Sequence, residues 1–121
     1  MSTVMVVEDS FTQRHMIAEL LRGNAFKIIT AKDGIEALEL IHETQPDLVV
    51  LDIVMPRMNG YEVCRRLKAD LATQQLPVIF CSSNNTEVNR YWGLKQGAVA
   101  YISKPFEPHE LVDTVKQVLE S

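Results

Sequence analysis

The sequence predicts a doubly wound α/β domain, a parallel sheet covered by helices on both faces. Two observations carry that prediction. Five short β-rich runs alternate strictly with five helix-like segments, and such alternation specifies right-handed βαβ crossovers. Three of the runs are apolar on both faces, as central strands of a covered sheet must be. A chain of 121 residues with 46% hydrophobic content also suits one compact core.

The first run, residues 3–7 (TVMVV), reads as a central strand. A helix follows near 10–23, where Ser10 and Gln13 stand at capping-box spacing and Gly23 follows the last turn. Its inward stripe is Ile17, Leu20 and Leu21. The second run, 26–30 (FKIIT), carries Lys27 and Thr30 and suits an edge. Asp33 and Glu36 repeat the cap spacing for a helix near 33–44. The third run, 47–51 (DLVVL), precedes a helix near 59–71. The fourth, 77–81 (PVIFC), precedes one near 85–96. The fifth, 99–102 (VAYI), leads to a helix near 107–120 with the stripe Leu111, Val112, Val115, Val118 and Leu119. Beyond this alternation there is no internal repeat.

Composition narrows the function classes. A net charge of −4 argues against direct nucleic-acid binding, which calls for a basic face. The sequence shows no signal peptide and no apolar stretch of membrane-spanning length. Cys64 and Cys81 form no CxxC pair and read as reduced thiols of a cytoplasmic protein. Residues 1–121 are therefore expected to form a single domain with no output domain.

In open parallel sheets, function collects beyond the carboxyl ends of the strands. Here strand one ends in Glu8-Asp9, strand three in Asp52, strand four in Ser82-Ser83, and strand five in Ser103-Lys104-Pro105. Any one of these acids alone reads as a helix cap or turn residue; together they deliver reactive groups to one rim. Two like charges about 4 Å apart repel by roughly 4 kcal/mol at an effective dielectric of 20. A cation must hold the acids, or one of them takes up a proton. Oxygen-only ligands favour a hard ion, and Mg2+ fits best. Lys104 is a second cation, a point charge suited to a phosphoryl oxygen.

The stretches "VVEDS", "VVLDIVMPRMNG", "PVIFCSSN" and "AYISKPF" occur in this order. With them the whole chain resembles the receiver domain of two-component response regulators, in its stand-alone CheY-like form. The resemblance implies a five-stranded parallel sheet of order 2-1-3-4-5, the flavodoxin-like arrangement. More narrowly, "DIVMPRMNG" and "YWGLKQGAVAYISKPF" are similar to receivers of chemotaxis-like systems that control type IV pili, twitching motility or phototaxis.

The resemblance also implies roles. Asp52 is the expected phospho-acceptor, attacking the phosphohistidine of a sensor histidine kinase. Glu8, Asp9, Asp52 and the backbone carbonyl of Val54 are the expected Mg2+ ligands. Ser82 and Lys104 are expected to bind phosphoryl oxygens. Tyr101 is the expected aromatic that turns inward as Ser82 moves towards the phosphate. Lys104-Pro105 is the expected cis peptide. The implied output is a changed docking face of helix four, strand five and helix five. It is offered to a downstream protein target by a monomer or weak dimer that neither enters a membrane nor binds nucleic acid directly.

Departures from the family pattern bear on rate. Glu8 replaces the commoner Asp, Val54 is apolar where many receivers are polar, and Ser83 stands where Ala is frequent. Val54 and Asn84 are the positions expected to control attack by water, with Val54 hindering it. A Mg2+-dependent phosphohydrolase of the haloacid-dehalogenase type is the first rival, but it carries a second Asp where Val54 stands. A flavin-binding electron carrier needs a Ser/Thr/Gly-rich loop after strand one, and "EDSFTQR" is acidic. A constitutive interaction module with a silent site is the remaining alternative.

Other residues read as structural. Trp92 and Val88, at i,i+4 spacing, are expected to pack in the core, the alternative being a partner surface. His15, His42 and His109 have no metal-ligand spacing and are expected to face solvent. Cys64 and Cys81 should be buried, and Met55 and Met58 should pack the loop around Pro56.

Overall fold

The computed structural model describes residues 1–84 and 86–121. Its elements run β1 (Thr3–Val7), α1 (Phe11–Arg22), β2 (Lys27–Ala31), α2 (Gly34–Thr44), β3 (Leu48–Leu51) and α3 (Gly60–Ala69). Then follow β4 (Val78–Ser82), α4 (Glu87–Lys95), β5 (Ala100–Ser103) and α5 (Pro108–Glu120). The five strands are parallel, in order β2-β1-β3-β4-β5. Every predicted element is present, with strand bounds within a residue or so of expectation. α3 ends at Ala69, two residues early. The predicted helix over 85–96 begins at Glu87, and residue 85 itself lies outside the described residues.

Side-chain alternation divides the core between the two faces of the sheet. Met5, Val7, Val49, Leu51, Val78 and Phe80 point to the α2/α3 side, where Ala37, Ile41, Val63 and Leu67 cover them. Val4, Val6, Leu48, Val50, Ile79 and Cys81 point to the α1/α5 side, under Ile17, Leu21, Leu111 and Val115. A strand with period two fills both layers only if nearly every residue is apolar. β1, β3 and β4 meet that condition. β2 exposes Lys27 and Thr30, as its edge place allows.

Two local expectations are corrected. The cap of α1 is half made: Ser10 Oγ accepts from the Gln13 N–H at 3.3 Å, but the Gln13 side chain turns elsewhere. Trp92 is not a core residue. It is 50% exposed, and Val88 at the same spacing is 63% exposed. The contact of α4 with the sheet is taken by Gly93, where an added Cβ would lie 2.8 Å from Tyr101 Cδ2 and 3.1 Å from Phe80. With aromatic rings filling that space, the helix approaches through its smallest residue, and Trp92 faces outward.

The remaining structural readings hold. Cys64 and Cys81 are free and buried, and burial pushes the Cys81 thiol up to about 12. Such a thiol carries almost no thiolate near neutrality, which leaves it unreactive. Met55 is buried and Met58 packs against the α2/α3 core. All three histidines are exposed. His42 donates from Nδ1 to Leu38 O (3.0 Å) and from Nε2 to Asp70 Oδ2 (2.9 Å), and these two contacts raise its pKa.

Candidate functional site

The rim residues are the first beyond their strands, and the ladder still holds them. Glu8 N donates to Ala31 O at 3.1 Å, Asp52 N to Val7 O at 3.0 Å, and Lys104 N to Ser82 O at 2.9 Å. Each side chain is thus launched from a fixed backbone, the rigidity a reactive constellation needs. The Lys104–Pro105 peptide is cis.

Glu8, Asp9 and Asp52 each bring a carboxylate oxygen to within 4.8 Å of the others. Glu8 and Asp52 are buried, while Asp9 is exposed. Lys104 Nζ donates to Glu8 Oε2 at 3.0 Å and lies 3.9 Å from Asp52 Oδ1. One Asp52 oxygen is already in use, accepting from Ile53 N at 2.8 Å. Burial, with the Asp52 charge adding to it against the opposing pull of Lys104, pushes the Glu8 carboxyl up to about 7. Three carboxylates facing one ammonium leave an excess of negative charge, and oxygen-only donors at this spacing suit a hard divalent cation. The cluster can therefore bind a divalent metal.

The surrounding groups fix the two loops that carry the acids. Arg14 Nη1 donates to Glu8 O at 2.8 Å and its guanidinium lies 5.6 Å from the Phe11 ring centroid. After β3, Gly60 N donates to Ile53 O at 2.8 Å. Arg57, at φ 68°, bonds the buried carboxylate of Asp33, which also caps α2 by accepting from Glu36 N at 2.8 Å. That backbone bond, helped by Arg57, holds Asp33 below the usual carboxylate range. A cleft of about 660 Å3 opens over the site, with Glu8, Asp9, Asp52, Val54, Ser83 and Lys104 among its walls.

On the β4–β5 side, Ser82 is buried and its Oγ accepts from Asn84 N at 3.2 Å. Tyr101 is 6% exposed, and its hydroxyl donates to Asn84 O. Arg90 closes over the Tyr101 ring at 5.3 Å and donates to Ser103 Oγ at 2.9 Å. The predicted site residues therefore meet in two neighbouring groups. Glu8, Asp9, Asp52 and Lys104 form the charged cleft, and Ser82, Asn84 and Tyr101 line the turn after β4. Sequence reasoning missed Arg14, Arg57 and Arg90, whose partners are backbone carbonyls, a cap residue and a ring. It also assigned Gln13 to the α1 cap, whereas its side-chain oxygen accepts from Lys104.

Comparison with known proteins settles the family. A family model described as the response regulator receiver domain matches residues 4–116. The chain belongs to that family. As a receiver it is 33% identical over 119 residues to Protein PilH of Pseudomonas aeruginosa, covering 98% of both chains. It is 40% identical over 113 residues to the DNA-binding response regulator MtrA of Mycobacterium tuberculosis. That match covers 93% of this receiver but 48% of MtrA, so the chain spans about half of that relative's length. The Francisella response regulator 1452 receiver domain superimposes with a TM-score of 0.93 at 30% identity, covering 99% of this chain and 98% of that one. No helix among the described residues is long and apolar enough to cross a membrane.

Proposed function

We propose that this receiver is a phosphorylation switch that accepts a phosphoryl group on Asp52 from a sensor histidine kinase. One observation carries the reading: the Asp52 carboxylate stands at a cleft with two further acids within 4.8 Å and Lys104 Nζ at 3.9 Å. An Asp52 oxygen attacks phosphorus, the bond to the donor's imidazole nitrogen breaks, and the imidazole leaves with that electron pair. Phosphoryl transfer demands mainly positioning and charge neutralisation. Lys104 neutralises one phosphoryl oxygen, and the Ser82 hydroxyl donates to another. Glu8, Asp9, Asp52 and the Val54 carbonyl would hold Mg2+, which when bound neutralises charge on the transferred group.

The output face of this reading is α4, β5 and α5. Val88, Tyr91, Trp92 and Leu94 are exposed on α4 and Val99 just before β5, an apolar surface of the kind that docks a protein partner. Tyr101 couples the site to this face, because its ring lies beneath Arg90 and Gly93 of α4. The match to PilH, which covers 98% of both chains, supports the reading as a receiver; its proposed state is a monomer or weak dimer in the cytoplasm. The motif resemblance to pilus and taxis receivers makes a motility component the proposed target.

The test uses the purified protein, a small phosphodonor and Mg2+, with the label localised by mass spectrometry and docking-face changes followed by Trp92 fluorescence. An acyl phosphate on Asp52 that forms only with Mg2+ is the expected result. Label on another residue overturns the assignment. Val54 is the residue proposed to tune the lifetime by hindering an incoming water: it is 58% exposed and lines the cleft with Asp52. Val54→Asn is expected to speed dephosphorylation about tenfold, or ~1.4 kcal/mol of barrier, measured as decay of the label after donor removal.

A further inference from the structure

Lys104 Nζ has two hydrogen-bond partners, Glu8 Oε2 at 3.0 Å and Gln13 Oε1. Asp52 Oδ1, at 3.9 Å, is beyond hydrogen-bond range. An ammonium carries three protons, so two are engaged on the β1–α1 side and one remains for the cleft. The Gln13 backbone is itself held, its N–H on Ser10 Oγ and its residue in the first turn of α1.

From this arrangement we infer that Gln13 is a positioning residue that holds the Lys104 ammonium at the mouth of the cleft for the incoming phosphoryl group. The inference rests on the phosphoryl transfer to Asp52 proposed above. A lysine stem is flexible and its ammonium strongly hydrated, so it stays beside a reaction only if something fixes it. Glu8 fixes it in the metal-free protein, yet Glu8 is also one of the acids placed to hold the cation. A carboxylate engaged by a divalent ion attracts Lys104 less. Gln13 is neutral, so it adds nothing to the crowded negative charge and keeps its grip in both states. The amide carbonyl and the side-chain length are both required, which makes Gln13→Leu the informative variant. Gln13 is exposed, so that change leaves the core intact.

The experiment compares wild type, Gln13→Leu and Gln13→Glu by two readouts. The first is the 15N order parameter and proton exchange of the Lys104 ammonium, measured without metal and at saturating Mg2+, where Glu8 is engaged. The second is the labelling rate at saturating Mg2+ with a small phosphodonor. Gln13→Leu is expected to lower the order parameter, hasten exchange, and slow labelling about three- to tenfold, as for a partial loss of one charge-assisted hydrogen bond. Gln13→Glu, which keeps an acceptor in place, is expected to retain the ordered ammonium. An unchanged order parameter and labelling rate in Gln13→Leu overturn the inference while leaving Asp52 labelling in wild type intact. Failure of wild type to label at Asp52 overturns the underlying reading instead.

Discussion

Asp52→Asn is expected to abolish phosphoryl acceptance while making the metal-free protein more stable. An amide has no nucleophilic oxygen anion, so labelling in donor and Mg2+ should fall to background. The fold should survive, because the amide oxygen can still accept the Ile53 N–H bond and Lys104 keeps Glu8. The stability change follows from charge. In the wild type the Asp52 carboxylate helps hold the buried Glu8 carboxyl up at about 7. A carboxyl raised in the folded state contributes stability that is fully present below its ordinary value and lost as pH rises through its folded value. Removing Asp52's charge lets Glu8 fall back towards the ordinary range, so less is lost above neutrality. Denaturant melts in chelator should show a gain of about 1 kcal/mol at pH 8, a modest fraction of one close-range repulsion, and none near pH 4. A gain of equal size at both pH values would contradict the charge argument. Residual labelling in Asp52→Asn would place the acceptor elsewhere.

The fold was legible because the determinants are local and repeated. Apolar runs of strand length, each followed by a helical segment, leave few ways to form a covered parallel sheet. The acids were legible for a similar reason: a polar residue directly after an apolar strand has only the rim to occupy. What was lost depended on contacts between residues distant in sequence. The Gln13 spacing is compatible with a capping box, and only the arrival of Lys104 from β5, 91 positions along the chain, diverts its side chain. Trp92 has core-like spacing with Val88, and only the packing of Tyr101 and Phe80 under Gly93 turns it outward. Arg14, Arg57 and Arg90 had no signal at all, since a long guanidinium stem can reach partners on several elements.

Gly60→Ala is expected to cost more stability than any other single-methyl addition at the site. Gly60 opens α3, just after the N-cap Asn59, and its N–H donates to Ile53 O at 2.8 Å. That bond draws the start of α3 directly onto the chain leaving β3. A Cβ at Gly60 would stand 2.2 Å from Asp52 O, 2.9 Å from Ile53 Cα and 3.0 Å from Asp52 C. All three are backbone atoms, and the Asp52 N–H is tied to Val7 O at 3.0 Å, so none can rotate away. Either α3 lifts off or the Asp52 backbone shifts. The expected loss is about 3 kcal/mol, at the upper end for overpacking, or a fall in Tm of about 10–15 °C for a domain of this size. Labelling of Asp52, the proposed nucleophile, should slow as well, because the displaced backbone carries its side chain. Gly23→Ala is the matching control. There the added Cβ meets only Glu19 O at 3.4 Å and Leu20 O at 3.5 Å, at a helical φ of −64°. With no clash and fewer unfolded conformations to lose, that variant should be neutral or gain up to about 1 kcal/mol. Melting curves for the two variants give the comparison, and a Gly60→Ala protein as stable as Gly23→Ala would mean that α3 does not rest on the Asp52 backbone.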